Sequence, residues 1–314
     1  MSTVSPEDHA GREEMTPSFR MRLLTPYLRL TRKPLTATAE RAEARLARGR
    51  QSAPPPRSLL RKFRVEQRSV EGFSCYSVMP RPVAASAGSP KPSAVLYLHG
   101  GSYISPISTW HWRFIARLAA AGHRVEVPLY GLAPDYSHRD APALLASVYR
   151  RLLEDYDSQD VAFMGDSAGG GLALAFAQQL SEWSLPQPRR LILLSPWVDV
   201  AMENPELAAV EAVDPWLSRA GLRVAARAWA SGDALTDPRV SPVNGTLSGL
   251  PPTDLFVGTH DLPYPDVLKL ERLLKSAGIP VSLHIADGGV HVYPLLPVPE
   301  GMAAKKKILE LLQP

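Results

Sequence analysis

The sequence predicts an α/β protein, with a mostly parallel central sheet, helices on both faces and a helical cap. Three observations carry that expectation. From Val95 onward, short apolar runs alternate with longer helix-prone runs, the rhythm of strand-helix-strand units and not of hairpins. One such run, Val161-Ala162-Phe163-Met164, leads through Gly165-Asp166-Ser167-Ala168-Gly169 into the helix-prone Leu172 to Ala177. The 314 residues are 45% hydrophobic, enough for one large core with an attached cap in place of two independent domains.

Residues 1 to 14 are polar and are expected to form a disordered tail. Residues 15 to 58 read as an N-terminal helical cap segment: Phe19 to Leu24 continues through Tyr27 to Leu30, Ala39 to Arg48 is strongly helix-prone, and Pro54-Pro55-Pro56 closes the stretch. Residues 59 to 314 are expected to be the core. Within it Phe73 to Val78 reads as a strand carrying Cys75 as a packing residue, and Ala94 to Leu98 reads as a buried strand. Trp110 to Ala120 is a helix, Arg124 to Val127 a strand and Ala141 to Tyr156 a helix. After the strand Leu191 to Leu194, an insertion near 201 to 233 with a helical run from Arg219 to Ala230 is expected to join the cap. Thr253 to Gly258 then reads as a strand, Val267 to Ala277 as a helix ended by Gly278, and Val281 to Ile285 as a strand. A loop from Asp287 to Tyr293 follows.

Charge excludes more than it suggests. The net charge is +4, from 35 basic and 31 acidic residues, and no nucleic-acid motif accompanies it, so a solvated basic surface is expected and not a nucleic-acid partner. A single cysteine rules out an intramolecular disulfide. No apolar run reaches membrane-spanning length and the N-terminus shows no signal-peptide core, so cytoplasmic residence is the expectation. A membrane-surface helix over residues 15–33, where arginines interleave with leucines and aromatics, is a rival reading; it is disfavoured because Pro26 interrupts the pattern. Oligomeric state is not legible.

The Gly165 to Gly169 pentapeptide sits where a strand must turn sharply into a helix, so Ser167 is presented at the turn with helix amides aimed at it. Upstream, the strand Ala94 to Leu98 runs into His99-Gly100-Gly101-Ser102-Tyr103, where consecutive glycines free backbone amides to approach a ligand oxygen. An HGGG-type loop paired with the amide after such a serine is a known oxyanion hole, here Gly100, Gly101, Ser102 and Ala168.

Together with Tyr130-Gly131-Leu132-Ala133-Pro134-Asp135, these motifs make the chain resemble the hormone-sensitive-lipase group of α/β-hydrolases, a family of carboxylesterases, lactone hydrolases and deacetylases. The resemblance runs from about Phe63 to the C-terminus and takes in Asp237 to Pro242 and Gly258-Thr259-His260-Asp261. It implies the α/β-hydrolase fold and a serine hydrolase that needs no cofactor or metal. Its substrate would be a small-molecule ester, with lactones or amides as alternatives on the same groups. A non-catalytic ligand-binding relative is the competing class, disfavoured because all three catalytic residue types are present.

In such folds the partners follow the serine in the order acid, then histidine. Asp261 lies in the loop after a strand, and His291 follows in the next strand's loop, so Ser167, Asp261 and His291 are the expected catalytic set. Asp266 is read as a helix cap beside Pro265, and His260 as a loop histidine. Asp166 is expected to orient the turn, Asp135 to fix the backbone of its loop, and the Ser102 hydroxyl either to reach the oxyanion or to cap an amide. Tyr103, Trp197 and Trp216 are the expected pocket aromatics.

Overall fold

The computed structural model describes residues 16–47, 53–81 and 93–313, so the tail expected over 1 to 14 lies outside the described residues. Eight strands form one sheet: β1 (Arg64–Val70), β2 (Phe73–Met79), β3 (Ala94–Leu98), β4 (Arg124–Pro128), β5 (Val161–Asp166), β6 (Arg190–Leu194), β7 (Thr253–His260) and β8 (Val281–Val290). Their spatial order is β1-β2-β4-β3-β5-β6-β7-β8. β1 and β2 pair antiparallel, β2 meets β4 antiparallel, and every pairing from β4 to β8 is parallel.

The parallel strands are buried on both faces because helices cover both. Alternation along a strand therefore divides residues between two cores. Leu96, Leu98 and Phe163 point into one, with Leu144 and Val148 of α5 (Ala141–Asp155) and Leu174 of α6 (Ala168–Gln179). Val95, Tyr97 and Met164 point into the other, with Phe114 and Ile115 of α4 (Thr109–Ala120) and Ile308 of α10 (Pro299–Leu311). Cys75 is fully buried.

The segment before β1 and the insertion between β6 and β7 meet each other. The N-terminal part supplies α1 (Phe19–Thr31), α2 (Ala39–Leu46) and α3 (Arg57–Lys62); the later insertion supplies α7 (Leu207–Val213) and α8 (Arg219–Ala230). Lys33 Nζ donates to the carbonyls of Glu211 (2.7 Å) and Asp214 (2.5 Å), and the Ser218 hydroxyl donates to the carbonyl of Thr36. At the other end of α1, the Ser18 amide and hydroxyl donate to the Glu300 carboxylate at 2.6 and 2.9 Å.

Several sequence expectations are corrected. Pro26 does not interrupt α1, which runs through it from Phe19 to Thr31. A mid-helix proline costs on the order of 3 kcal/mol, and burial of Met21 and Leu28 against the core offsets it. β8 continues five residues past Ile285, held by pairing with β7 through a register shift between Gly258 and His260. His260 is the last residue of β7 and not a loop residue. β1, α3 and α10 went unread because their polar or charged positions hide the apolar period. α9 (Tyr264–Ser276) starts three residues earlier than expected. Among the described residues no helix is long and apolar enough to cross a membrane.

Candidate active site

β5 ends and α6 begins on either side of Ser167, whose backbone is held at φ 52° and ψ −122°. A non-glycine residue at positive φ is strained, and the surrounding packing must impose it. Here the Ser167 amide donates to Leu194 O at 2.8 Å while the amides of Gly171 and Trp197 donate to Ser167 O at 3.1 and 2.9 Å. The flanking glycines are required by close approach: a Cβ on Gly165 would lie 2.3 Å from Gly169 O, and one on Gly169 would lie 2.1 Å from Leu98 O. No larger side chain lets helix and strands close around the serine.

The structure brings Ser167, His291 and Asp261 together from three different strand ends. Ser167 Oγ lies 2.9 Å from His291 Nε2, and His291 Nδ1 lies 2.7 Å from Asp261 Oδ1. The carboxylate assigns the proton to Nδ1, which leaves Nε2 to accept from the serine hydroxyl. All three are buried. Burial works to lower the His291 pKa, but the facing Asp261 charge and hydrogen bond, with Asp214 and Asp166 behind, leave it above the ordinary histidine value. His291 directly follows β8, and the Ser195 hydroxyl accepts the Val292 amide at 3.0 Å, which fixes the chain as it leaves the histidine.

Beside Ser167 the loop after β3 turns through three positive-φ residues, Gly101 (127°), Ser102 (56°) and Tyr103 (61°). The amides of Ile104 and Ser105 both donate to Gly101 O. His99 braces this loop: its Nδ1 lies 2.8 Å from Gly100 O and its ring stacks on Tyr130 at 4.6 Å. Burial lowers the His99 pKa to about 4, so the ring is neutral and donates from Nδ1. Ala168 is the first residue of α6, so its amide has no partner within the helix.

A cavity of about 370 Å³ opens above these groups. Gly101, Ser102, Ser167 and His291 line its floor, and Arg32, Leu35, Trp216 and Leu222 line it from the N-terminal segment and the insertion. Trp216 stands edge-on to the His291 ring at 5.9 Å.

A model of the alpha/beta hydrolase fold family matches residues 95–295, well over half of the chain. The chain belongs to that family. It is 31% identical over 266 residues to a triacylglycerol lipase of Mycobacterium tuberculosis, a match covering 83% of this chain and 54% of the lipase. It is 34% identical over 209 residues to an acetyl-hydrolase of Streptomyces hygroscopicus, covering 65% and 70% of the two chains. The chain thus spans about half the length of the lipase. An esterase from the bacterial hormone-sensitive lipase family superposes with a TM-score of 0.76 at 26% identity, covering 95% of this chain and 98% of that one.

Within this alpha/beta hydrolase, two expected pocket aromatics lie elsewhere. Tyr103 is 2% exposed, stacks on Trp229 at 4.2 Å and on Trp197 at 5.8 Å, and belongs to the core. Trp197 is equally buried, with its indole N–H on Met202 Sδ at 3.2 Å. The left-handed backbone at Tyr103 turns its ring inward, and only Trp216 of the three lines the cavity. Gly100 lies behind the floor, where an added Cβ would meet Asp166 Oδ2 at 2.3 Å. Asp135 is exposed, so it does not brace its loop from within. Asp266 is not a cap: it sits inside α9, nearly buried, and accepts from Asn204 Nδ2 at 2.8 Å.

Asp166 was expected to orient the turn, whereas Tyr97, His111 and Asp214 were not singled out from sequence for these roles. Asp166 accepts from Tyr97 Oη (2.5 Å) and His111 Nε2 (3.2 Å), and His111 Nδ1 in turn accepts the Ser108 amide at 2.8 Å. Burial alone would raise the Asp166 pKa, but the His111 and Tyr97 contacts bring it below the ordinary carboxylate value. Asp214, fully buried, accepts the amides of Trp216 (2.6 Å) and Leu217 (2.8 Å) on Oδ1 and that of Leu262 (2.7 Å) on Oδ2. It therefore ties the Trp216 turn to the residue after Asp261. Burial and the nearby Asp261 charge raise its pKa to about 6. Its only sequence signal was an aspartate two residues before Trp216, which reads equally well as turn chemistry.

Proposed function

We propose that this chain hydrolyses carboxylic esters of short to medium acyl chains through a covalent acyl-enzyme on Ser167. The observation that carries the reading is the continuous hydrogen-bonded line from Ser167 Oγ through His291 to Asp261 on the floor of a largely apolar cleft. Its volume of about 370 Å³ falls in the range that small-molecule sites occupy. The relatives named lipase and acetyl-hydrolase support the same class of reaction.

In the proposed sequence Ser167 Oγ attacks the ester carbonyl carbon as His291 Nε2 takes the hydroxyl proton. Asp261 holds the imidazole in the tautomer that can accept and stabilises its cation. The tetrahedral oxyanion is met by amides of the Gly100-Gly101-Ser102 loop and of Ala168, each worth about 3 kcal/mol when aimed at developing charge. Collapse expels the alkoxide, which leaves with the proton from His291. Water then attacks the acyl-enzyme as His291 takes its proton; the second tetrahedral intermediate breaks its C–Oγ bond, His291 returns the proton to Ser167 Oγ, and the carboxylic acid leaves. Asp166 takes no proton in this scheme; bonded to Tyr97 and His111, it holds the turn on which Ser167 stands.

Lactones and acetamides would use the same groups, and a panel of simple esters, lactones and acetamides separates them. Turnover of esters well above lactones and amides is expected. Turnover confined to amides or lactones would reassign the substrate class, and none on any member would favour a ligand-binding role.

A further inference from the structure

The face of α1 turned away from the core carries Phe19, Leu23, Tyr27 and Leu30, exposed by 66, 57, 57 and 79%. At about 100° per residue these four fall within an arc of about 80°. Exposed arginines stand at both borders, Arg20 on one side and Arg22 and Arg29 on the other, and the helix contains no acidic residue. Met21 and Leu28, on the opposite face, anchor it to the core. An apolar stripe bordered by arginines is the pattern of a helix lying in a lipid-water interface, with its rings and leucines among acyl chains and its cations at anionic headgroups.

The stripe is also continuous with the catalytic cleft. Leu23 and Tyr27 line a second cavity of about 440 Å³. That cavity shares four lining residues with the one above Ser167: Arg32, Trp110, Trp216 and Leu296. An acyl chain leaving a lipid layer at the stripe thus meets a mostly apolar wall, bordered by Arg20 and Arg32, on the way to the Trp216 side of the cleft.

We propose that α1 docks this protein on an anionic lipid surface, with the mouth of the cleft facing esters held in that surface. The first half stands on the helix alone; the second rests on the ester-hydrolase reading. An arginine-bordered face favours an anionic bilayer over a second copy of the chain, whose own arginines would meet these across a two-fold contact.

The test is flotation of the full-length chain with vesicles of equal parts phosphatidylcholine and phosphatidylglycerol, beside vesicles of phosphatidylcholine alone. The protein is expected to float with the anionic vesicles and to be released by salt. Phe19→Ser with Leu30→Ser should weaken partitioning roughly tenfold or more, since two large apolar side chains leave the lipid. Arg22→Ser should weaken it roughly fivefold on anionic vesicles and little on neutral ones. None of these residues lines either cavity, so turnover of a water-soluble ester should stay unchanged while turnover of a long-chain ester held in anionic vesicles falls.

A wild-type chain that stays in the aqueous fraction, or variants that float as it does, would overturn the proposal. So would a dimer by sedimentation equilibrium that the Phe19→Ser, Leu30→Ser pair dissolves, because the stripe would then be a subunit contact. Flotation needs no turnover, so failure of docking is distinguishable from failure of the ester-hydrolase reading.

Discussion

Replacing Asp214 by Asn tests how the turn that carries Trp216 controls the acid of the proposed triad. Asp214 accepts three main-chain amides, two on Oδ1 and the Leu262 amide on Oδ2. An asparagine has one acceptor oxygen, so if it keeps the Trp216 and Leu217 amides its NH₂ group faces the Leu262 N–H. One charge-assisted bond of about 1.5–3 kcal/mol is lost and a buried donor is left unpaired. Removing a carboxylate whose pKa is raised to about 6 by burial and by Asp261 offsets part of this. The net expectation is a destabilisation of about 1 to 3 kcal/mol, or a few degrees in Tm. Because Leu262 follows Asp261, kcat should also fall, by roughly tenfold for a sub-ångström displacement of the carboxylate. The Asp214 charge helps to raise the His291 pKa, so its removal should move the acid limb of kcat/KM to lower pH. Thermal unfolding and a pH–rate profile on a soluble ester measure both effects. An unchanged Tm with an unmoved acid limb, or a limb moved upward, would refute the assigned role of Asp214.

Other outcomes follow from the same geometry. Asp261→Asn should lower kcat by about ten-thousand-fold by favouring the wrong imidazole tautomer, whereas Asp266→Asn should cost less than roughly tenfold, since it keeps an oxygen able to accept from Asn204 and Asp266 has no part in the Ser167–His291–Asp261 line; parallel kinetics on both variants check the ranking. The Asp266 pKa is raised from 3.8 to about 6, first by burial, so the native state holds the extra proton and this group's contribution falls as pH rises through that window. Asp266→Asn should therefore gain stability relative to the parent between those values, read as Tm against pH. For His291, raised above 6.5, the stabilising contribution is complete below the unfolded value and is lost as pH rises through the folded one. Activity, which needs the neutral ring, should rise over that same upper window.

The parallel core was legible because its strands are short apolar runs and its helices keep their period; Ala94 to Leu98 matches the strand found there residue for residue. Ser167, Asp261 and His291 were legible as a set because each sits at a strand end in the order the fold supplies. What failed was information that only three dimensions hold. Pro26 reads as a break when local sterics alone decide, yet Met21 and Leu28 pack on the far face and the helix continues. Tyr103 looks like a pocket aromatic because it adjoins the glycine loop, but its positive φ sends the ring between Trp229 and Trp197. β1, with Arg64, Glu66 and Arg68 on alternate positions, is an edge strand whose charges mask its period. Asp214 lies 47 residues before Asp261 (261 − 214) and meets the Asp261 loop only because the turn before α8 folds onto the end of β7.

The central claim is that Ser167 is the nucleophile, and covalent labelling tests it most directly. A fluorophosphonate should react with the native chain at a single site, found at Ser167 by mass spectrometry of the digested protein. Ser167→Ala should keep its thermal unfolding profile, take no label and lose ester turnover. Label on a different serine, or turnover that survives the substitution, would contradict the account.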